Sequence, residues 1–247
     1  MGYNRTRQSL REIGDYYTMK ISGFQKMTVL DFPGKVACTV FTGGCNMRCP
    51  FCHNADLALN KGKDSFTEEE ILEYLGKRQG LLDGVCITGG EPLLHSDIGE
   101  FIRKIKALGY MVKLDTNGTF PERLKDLVND GLLDYVAMDI KNSKEKYAQT
   151  AGANIDISKI EESVAFLMEG KVDYEFRTTI VSEFHEKEDI LKISEWIKGA
   201  KRYFLQNFVD SGNLIEKNIL HAVTPETLES MRILASSNVA EVVCRGI

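Results

Sequence analysis

Residues 43–54 read G-G-C-N-M-R-C-P-F-C-H-N and hold three of the chain's six cysteines. Cys45, Cys49 and Cys52 follow one another at steps of four and three residues, close enough for their thiolates to share a metal centre. In a reducing compartment that is the expected use of such a set, because disulfides do not persist there. Zinc would ask for a fourth ligand, and His53, directly after Cys52, could complete a three-cysteine, one-histidine site. A four-iron cluster held by three cysteines is the other solution, and it leaves one iron open to an outside ligand. Cys38, Cys86 and Cys244 stand alone in apolar runs and provide no second pair. Two further sets carry chemistry. Gly89-Gly90-Glu91-Pro92 joins a turn that lets backbone approach a ligand closely to a carboxylate. Asp115-Thr116 and Asp139-Ile140-Lys141 supply hard oxygen donors, although either aspartate alone reads equally well as a turn or helix cap.

The elements that must position these residues alternate regularly. Short β-branched or apolar runs predict strands over 36–41, 84–88, 110–114, 135–140, 173–181 and 202–208, with a closing strand over 239–244. Helices fall between them. Thr67 with Glu70, and Ser158 with Glu161, read as capping boxes; Ser96 reads as a cap, and Thr224-Pro225 as an N-cap followed by proline. Residues 21–34 end in a Pro-Gly turn. Every polar motif named above falls at the end of a predicted strand, and in a parallel barrel those ends share one rim. Arg177 lies within the fifth strand on the face of Glu175 and Thr179, and Gln206 and Asn207 interrupt the aromatic sixth strand, facing something polar. Alternation of this kind predicts an α/β fold, a parallel barrel or partial barrel.

The C-x-x-x-C-x-x-C spacing, with Phe51 before the last cysteine, resembles the radical S-adenosylmethionine enzymes. Cys52-His53-Asn54 and the Asp31-Phe32-Pro33-Gly34 turn narrow the likeness to activases of glycyl-radical enzymes, from about residue 21 to the C-terminus. The resemblance implies an open partial barrel of six strand–helix units. It implies a [4Fe–4S] cluster on Cys45, Cys49 and Cys52 whose open iron chelates S-adenosylmethionine, with His53 no ligand. Reductive cleavage then yields a deoxyadenosyl radical that takes a hydrogen from a glycine of a partner enzyme. By the same likeness Phe51 packs near the adenine, and Gly89, Gly90 and Glu91 meet the methionyl amine. Asp115, Thr116 and Asp139 would gather a monovalent cation beside the methionyl carboxylate, with Lys141 and Arg177 pairing with that carboxylate. The implied partners are a glycyl-radical enzyme and a flavodoxin- or ferredoxin-type reductant. The stretches M-T-V-L-D-F-P-G and V-A-M-D-I-K-N-S favour the activating proteins of anaerobic ribonucleoside-triphosphate reductase, although the chain is longer than the best-known of these. Pyruvate formate-lyase activase, or a radical enzyme acting on a small molecule, is the alternative. Some activases carry extra cysteines for further clusters ahead of the second strand; residues 54–85 hold none, so one cluster is expected.

The whole chain fits this reading. Its 247 residues suffice for one barrel domain, expected over residues 21–247, after an N-terminal tail over 1–20 expected to be mobile. A hydrophobic content of 43% and a charged content of 27% are those of a globular protein. The net charge of −5 argues against a nucleic-acid partner, which would select a basic stripe. No run approaches the roughly 18 apolar residues of a membrane span, and the N-terminus lacks the apolar stretch of a signal peptide, so a cytoplasmic protein is expected. The rival class, an iron–sulfur electron carrier or zinc protein, has no use for Gly89-Gly90-Glu91-Pro92 or for aspartates at successive strand ends.

Overall fold

The computed structural model describes residues 19–61, 66–216 and 220–246. Most of the expected tail therefore lies outside the described residues. Eight strands form one sheet in chain order: β1 (Ile21–Thr28), β2 (Ala37–Thr42), β3 (Gly84–Gly89), β4 (Met111–Thr116), β5 (Tyr135–Asp139), β6 (Asp173–Ile180), β7 (Arg202–Asn207) and β8 (Glu241–Arg245). From β2 onward every neighbouring pair is parallel. The central strands read as near-continuous apolar runs, as strands covered on both faces must. The two ends of the order, β1 and β8, do not pair, so the barrel stays open. Six strand–helix units run from β2 to β7 before β8 closes the sequence, which is the expected partial barrel.

The helices are α1 (Ala55–Ala58), α2 (Glu68–Gly76), α3 (Ile98–Ala107), α4 (Pro121–Asn129), α5 (Tyr147–Ala151), α6 (Ile157–Met168), α7 (Lys187–Trp196) and α8 (Pro225–Ala235). Their apolar stripes cover the outside of the sheet. In α3, Ile98, Phe101, Ile102 and Ile105 recur at helical spacing and are all buried, each contributing about 1.5–3 kcal/mol. The capping box of Thr67 and Glu70 is formed, as is the Thr224 cap with Pro225 behind it.

Three expectations change. Residues 21–28, read only as a lead-in to a turn, are the strand β1, antiparallel to β2 and irregular in register at two places. Ser158 does not cap α6. Asp156 accepts from the Ser158 backbone N–H at 3.1 Å and its hydroxyl at 2.6 Å, so the helix starts earlier. Nor does Ser96 cap α3, whose N-cap is Asp97 without a side-chain cap bond. The Asp97 carboxylate instead accepts from the Met19 backbone N–H at 2.9 Å, tying down the chain ahead of β1.

The two ends of the barrel differ. At the N-terminal end of the strands, Phe32 of the Asp-Phe-Pro-Gly turn is buried against Ala37 and Tyr135, and Asp31 accepts from the Thr39 hydroxyl at 2.6 Å. The opposite end carries the polar motifs. Among the described residues no helix is long and apolar enough to cross a membrane.

Candidate active site at the C-terminal rim

The loop after β2 is shaped by backbone bonds from far along the chain. The Gly43 N–H donates to Lys20, Gly44 to Leu57 and Arg48 to Ala151, and Glu216 donates to Pro50, all at 2.8–2.9 Å. The Arg48 guanidinium folds back on the carbonyls of Cys45 and Met47. Cys45, Cys49 and Cys52 thus line one cavity of about 410 Å³, with Phe51, His53, Asn54, Gly89 and Gly90. Burial pushes the Cys45 thiol up to about 12, and Cys49 is raised for the same reason. Such thiols are poor nucleophiles, and only a bound metal would make them thiolates. Among the described residues no three His, Cys, Asp or Glu side chains stand close enough to hold a single ion. The donor set fits a polynuclear group, in which each cysteine takes a different iron. The His53 ring lies 5.8 Å from that of Phe208, edge to face.

Gly89 ends β3 against β2 and the cysteine loop. At its φ of +120°, a Cβ would sit 2.3 Å from the Thr42 carbonyl oxygen. A Cβ on Gly90 would lie 1.9 Å from the Gly44 oxygen. Only glycine permits this approach of strand end to loop. Glu91, expected beside them in the cavity, is instead fully buried behind its wall. It accepts from the Leu93 N–H at 3.0 Å, the Thr116 hydroxyl at 2.8 Å and the Asn117 N–H at 2.7 Å. Its own N–H donates to Gly44 at 2.9 Å. Burial pushes its carboxyl up to about 7 against these bonds. Glu91 therefore joins the cysteine loop to the end of β4, and a ligand contact does not fit its position.

Asp115, Asp139 and Arg177 face the cavity from β4, β5 and β6. Arg177 lies between the two carboxylates, 3.1 Å from Asp115 and 2.8 Å from Asp139. Lys113 donates to Asp115 at 2.5 Å, and Lys141 to Asp139 at 3.0 Å. Burial alone would raise both acids, yet Arg177 and then the lysines hold them below the usual carboxylate range. Lys141 and Arg177 are correspondingly raised. The monovalent cation expected at Asp115, Thr116 and Asp139 does not fit these residues. Arg177 already supplies the charge between the acids, and the Thr116 hydroxyl is turned away to Glu91. These five groups carry three positive and two negative charges, a surplus of one positive charge, with Lys141 and Arg177 lining the cavity and Lys113 buried beside Asp115.

Phe51 lines the cavity and packs on Phe184 and His185. Gln206 and Asn207 line it too, as their setting in β7 suggested, and Arg245 and Gly246 join from β8. The sequence gives no sign of Lys113 as a site residue beyond its place two residues before Asp115 on the same strand face; its side chain is only 3% exposed. Asn117, which also lines the cavity, carries no sequence signal of its own.

An open parallel barrel with a three-cysteine loop after its first parallel strand defines a radical enzyme scaffold. The Radical SAM superfamily profile matches residues 39–208, and the chain belongs to that superfamily, within it to the glycyl-radical enzyme activating enzymes. A Methanocaldococcus jannaschii protein named as a glycyl-radical enzyme activating enzyme is 35% identical over 196 residues, which is 76% of this chain and 79% of that protein. The pyruvate formate-lyase 1-activating enzyme of Escherichia coli K12 is 28% identical over 178 residues, 69% of this chain and 71% of that enzyme. Among solved structures, Streptococcus suis SuiB shares the fold with a TM-score of 0.65 at 14% identity, covering 82% of this chain and 47% of SuiB. Membership of the superfamily implies a [4Fe–4S] cluster and S-adenosylmethionine as cofactors.

Proposed function

We propose that the chain cleaves S-adenosylmethionine reductively and installs a radical on a backbone glycine of a partner enzyme, with Cys45, Cys49 and Cys52 as the cluster ligands. The observation that carries the site assignment is the meeting of these thiols, the Gly89-Gly90 turn and the Arg177 rim in one cavity. When bound, the reduced cluster and S-adenosylmethionine together supply a deoxyadenosyl radical able to take a hydrogen from a glycine Cα. The protein's share is positioning and charge. Gly89 and Gly90 offer backbone carbonyls to the methionyl ammonium at close range. The single surplus positive charge of Lys113, Lys141 and Arg177 over Asp115 and Asp139 matches one ligand carboxylate. Phe51, packed on Phe184 in the cavity wall, would offer the adenine an apolar face.

The protein partner is a glycyl-radical enzyme, by the similarity to proteins named as its activators. Of these enzymes we favour anaerobic ribonucleoside-triphosphate reductase, on the M-T-V-L-D-F-P-G and V-A-M-D-I-K-N-S stretches. The E. coli relative favours pyruvate formate-lyase as the second reading. A flavodoxin or ferredoxin in the cytoplasm would be the reductant. The reconstituted protein, reductant and S-adenosylmethionine should be mixed without oxygen with each candidate enzyme in turn. A glycyl-radical doublet in the electron paramagnetic resonance spectrum is expected with the reductase. Deoxyadenosine formation with no radical on either enzyme would point to a small-molecule substrate instead.

A further inference from the structure

Asn117 follows the end of β4 and lines the cysteine cavity at 6% exposure. Its side-chain oxygen accepts from the Thr119 backbone N–H at 3.0 Å and from the Thr119 hydroxyl at 2.6 Å. A backbone N–H can only donate, so the atom it meets must be Oδ1, and the chain itself fixes which way the amide points. Nδ2 is thereby turned toward the cysteine loop, 2.9 Å from Asn46 Oδ1 and 3.9 Å from Cys45 Sγ. Asn46 completes a ring by donating its own Nδ2 to the Thr119 hydroxyl at 2.8 Å. The backbone of Asn117 is held as firmly, its N–H donating to Glu91 at 2.7 Å. The Met47 N–H approaches the same sulfur at 3.4 Å.

Two side chains, those of Asn46 and Thr119, together with the Thr119 backbone N–H and the buried Glu91 carboxylate therefore hold one N–H of Asn117 toward Cys45. The sulfur is at the long end of hydrogen-bond range as a thiol, and an iron-bound thiolate is the stronger acceptor. We propose that Asn117 is a positioning residue that hydrogen-bonds the Cys45 sulfur and raises the reduction potential of the cluster. The inference rests on the reading of Cys45, Cys49 and Cys52 as cluster ligands. Its physical basis is that the ligand sulfurs carry more negative charge once the cluster is reduced. A donor aimed at one of them stabilises the reduced form more than the oxidised form. Without it the cluster accepts an electron less readily.

The test uses the full-length protein reconstituted with iron and sulfide and titrated potentiometrically, with the reduced cluster followed by electron paramagnetic resonance. Asn117→Leu removes the donor at similar volume, and Asn117→Asp turns a carboxylate oxygen on the sulfur. With about four irons per chain retained, Asn117→Leu should weaken reduction about tenfold, a midpoint about 59 mV more negative for one electron. Asn117→Asp should move it at least as far. Thr119→Val keeps the backbone donor that orients the amide and should shift the midpoint less than Asn117→Leu. An unchanged midpoint in Asn117→Leu at full iron content overturns the proposal and leaves the ligand assignment standing. A parent protein that takes up no cluster overturns the reading beneath it instead. Should the variants fail to hold a cluster, the parent labelled with ¹⁵N only at asparagine side-chain amides decides the matter. Pulsed resonance on its reduced cluster should show a nitrogen coupling, and its absence overturns the proposal.

Discussion

The cysteine loop and the charged rim face one cavity but are held by different forces. The loop is built mainly from backbone, with Arg48 and Asn46 as its side-chain ties. Its shape comes from main-chain bonds to Lys20, Leu57, Ala151 and Glu216 and from glycines that let β3 press against it. The rim is built from side-chain charge on rigid strands, with Arg177 between Asp115 and Asp139 and a lysine outside each acid. The difference suits the proposed tasks. A cluster binds through strong metal–sulfur bonds and needs only thiols presented at suitable places. A bound carboxylate is recognised by charge and charge-assisted hydrogen bonds, so its partners are best fixed in advance at low exposure, where the field is least screened. Glu91 joins the two regions through Gly44 on one side and Thr116 and Asn117 on the other.

The sharpest way to separate the regions is to remove a thiol. Cys45→Ala, Cys49→Ala or Cys52→Ala should lower the iron content from about four per chain to near none. Changes at Cys38, Cys86 or Cys244 should leave it full, with iron and sulfide assays as the measurement. A stoichiometric zinc ion surviving reconstitution would break the assignment of the loop.

Glu91, as the joint, should give the next largest effect, seen in stability. Its folded carboxyl, pushed up to about 7, binds a proton more readily than in the unfolded chain, where the ordinary value is 4.5. Its contribution is therefore fully present below pH 4.5 and lost as pH rises through about 7, worth on the order of 3 kcal/mol. Thermal unfolding of the cluster-free protein at pH 5 and pH 8, against Glu91→Gln, isolates that term. Equal pH slopes in the two proteins would show that Glu91 does not titrate in this window.

Within the rim, Asp115→Asn or Asp139→Asn should slow deoxyadenosine formation by at least roughly tenfold, about 1.4 kcal/mol, while iron stays bound. Each change frees Arg177 from one partner and so misplaces the charge that would meet the ligand carboxylate. Iron loss in either variant would mean that the rim also shapes the loop. The smallest effect is expected from the buffer. With Arg177 between the acids, exchanging sodium for potassium should change the rate by less than about twofold, roughly 0.4 kcal/mol. A strong preference for one cation would show that Arg177 moves aside when the site is loaded.

Local chemistry and periodicity determined much of this protein from sequence alone. The cysteine spacing, the alternation of strand and helix, the capping box at Thr67 and the glycines after β3 each follow from residues near one another in the chain. The strand ends were legible for the same reason, so Asp115, Asp139, Arg177 and Gln206 were all expected at one rim. What those side chains would touch was not legible. Glu91 stands beside Gly90 in sequence and was read as a cavity residue, but the turn of the strand end carries its carboxylate behind the wall. The sequence places Arg177 as a partner for a ligand carboxylate. Only the register of β5 with β6, which sets Asp139 opposite Arg177, placed it between two acids. The orientation of Asn117 toward Cys45 needs Thr119, Asn46 and Glu91 together, brought from three separate loops. Propensity and spacing act over a few residues, whereas the pairing of charges and the direction of an amide depend on packing between strands far apart in the chain, and that was decided only by the tertiary structure.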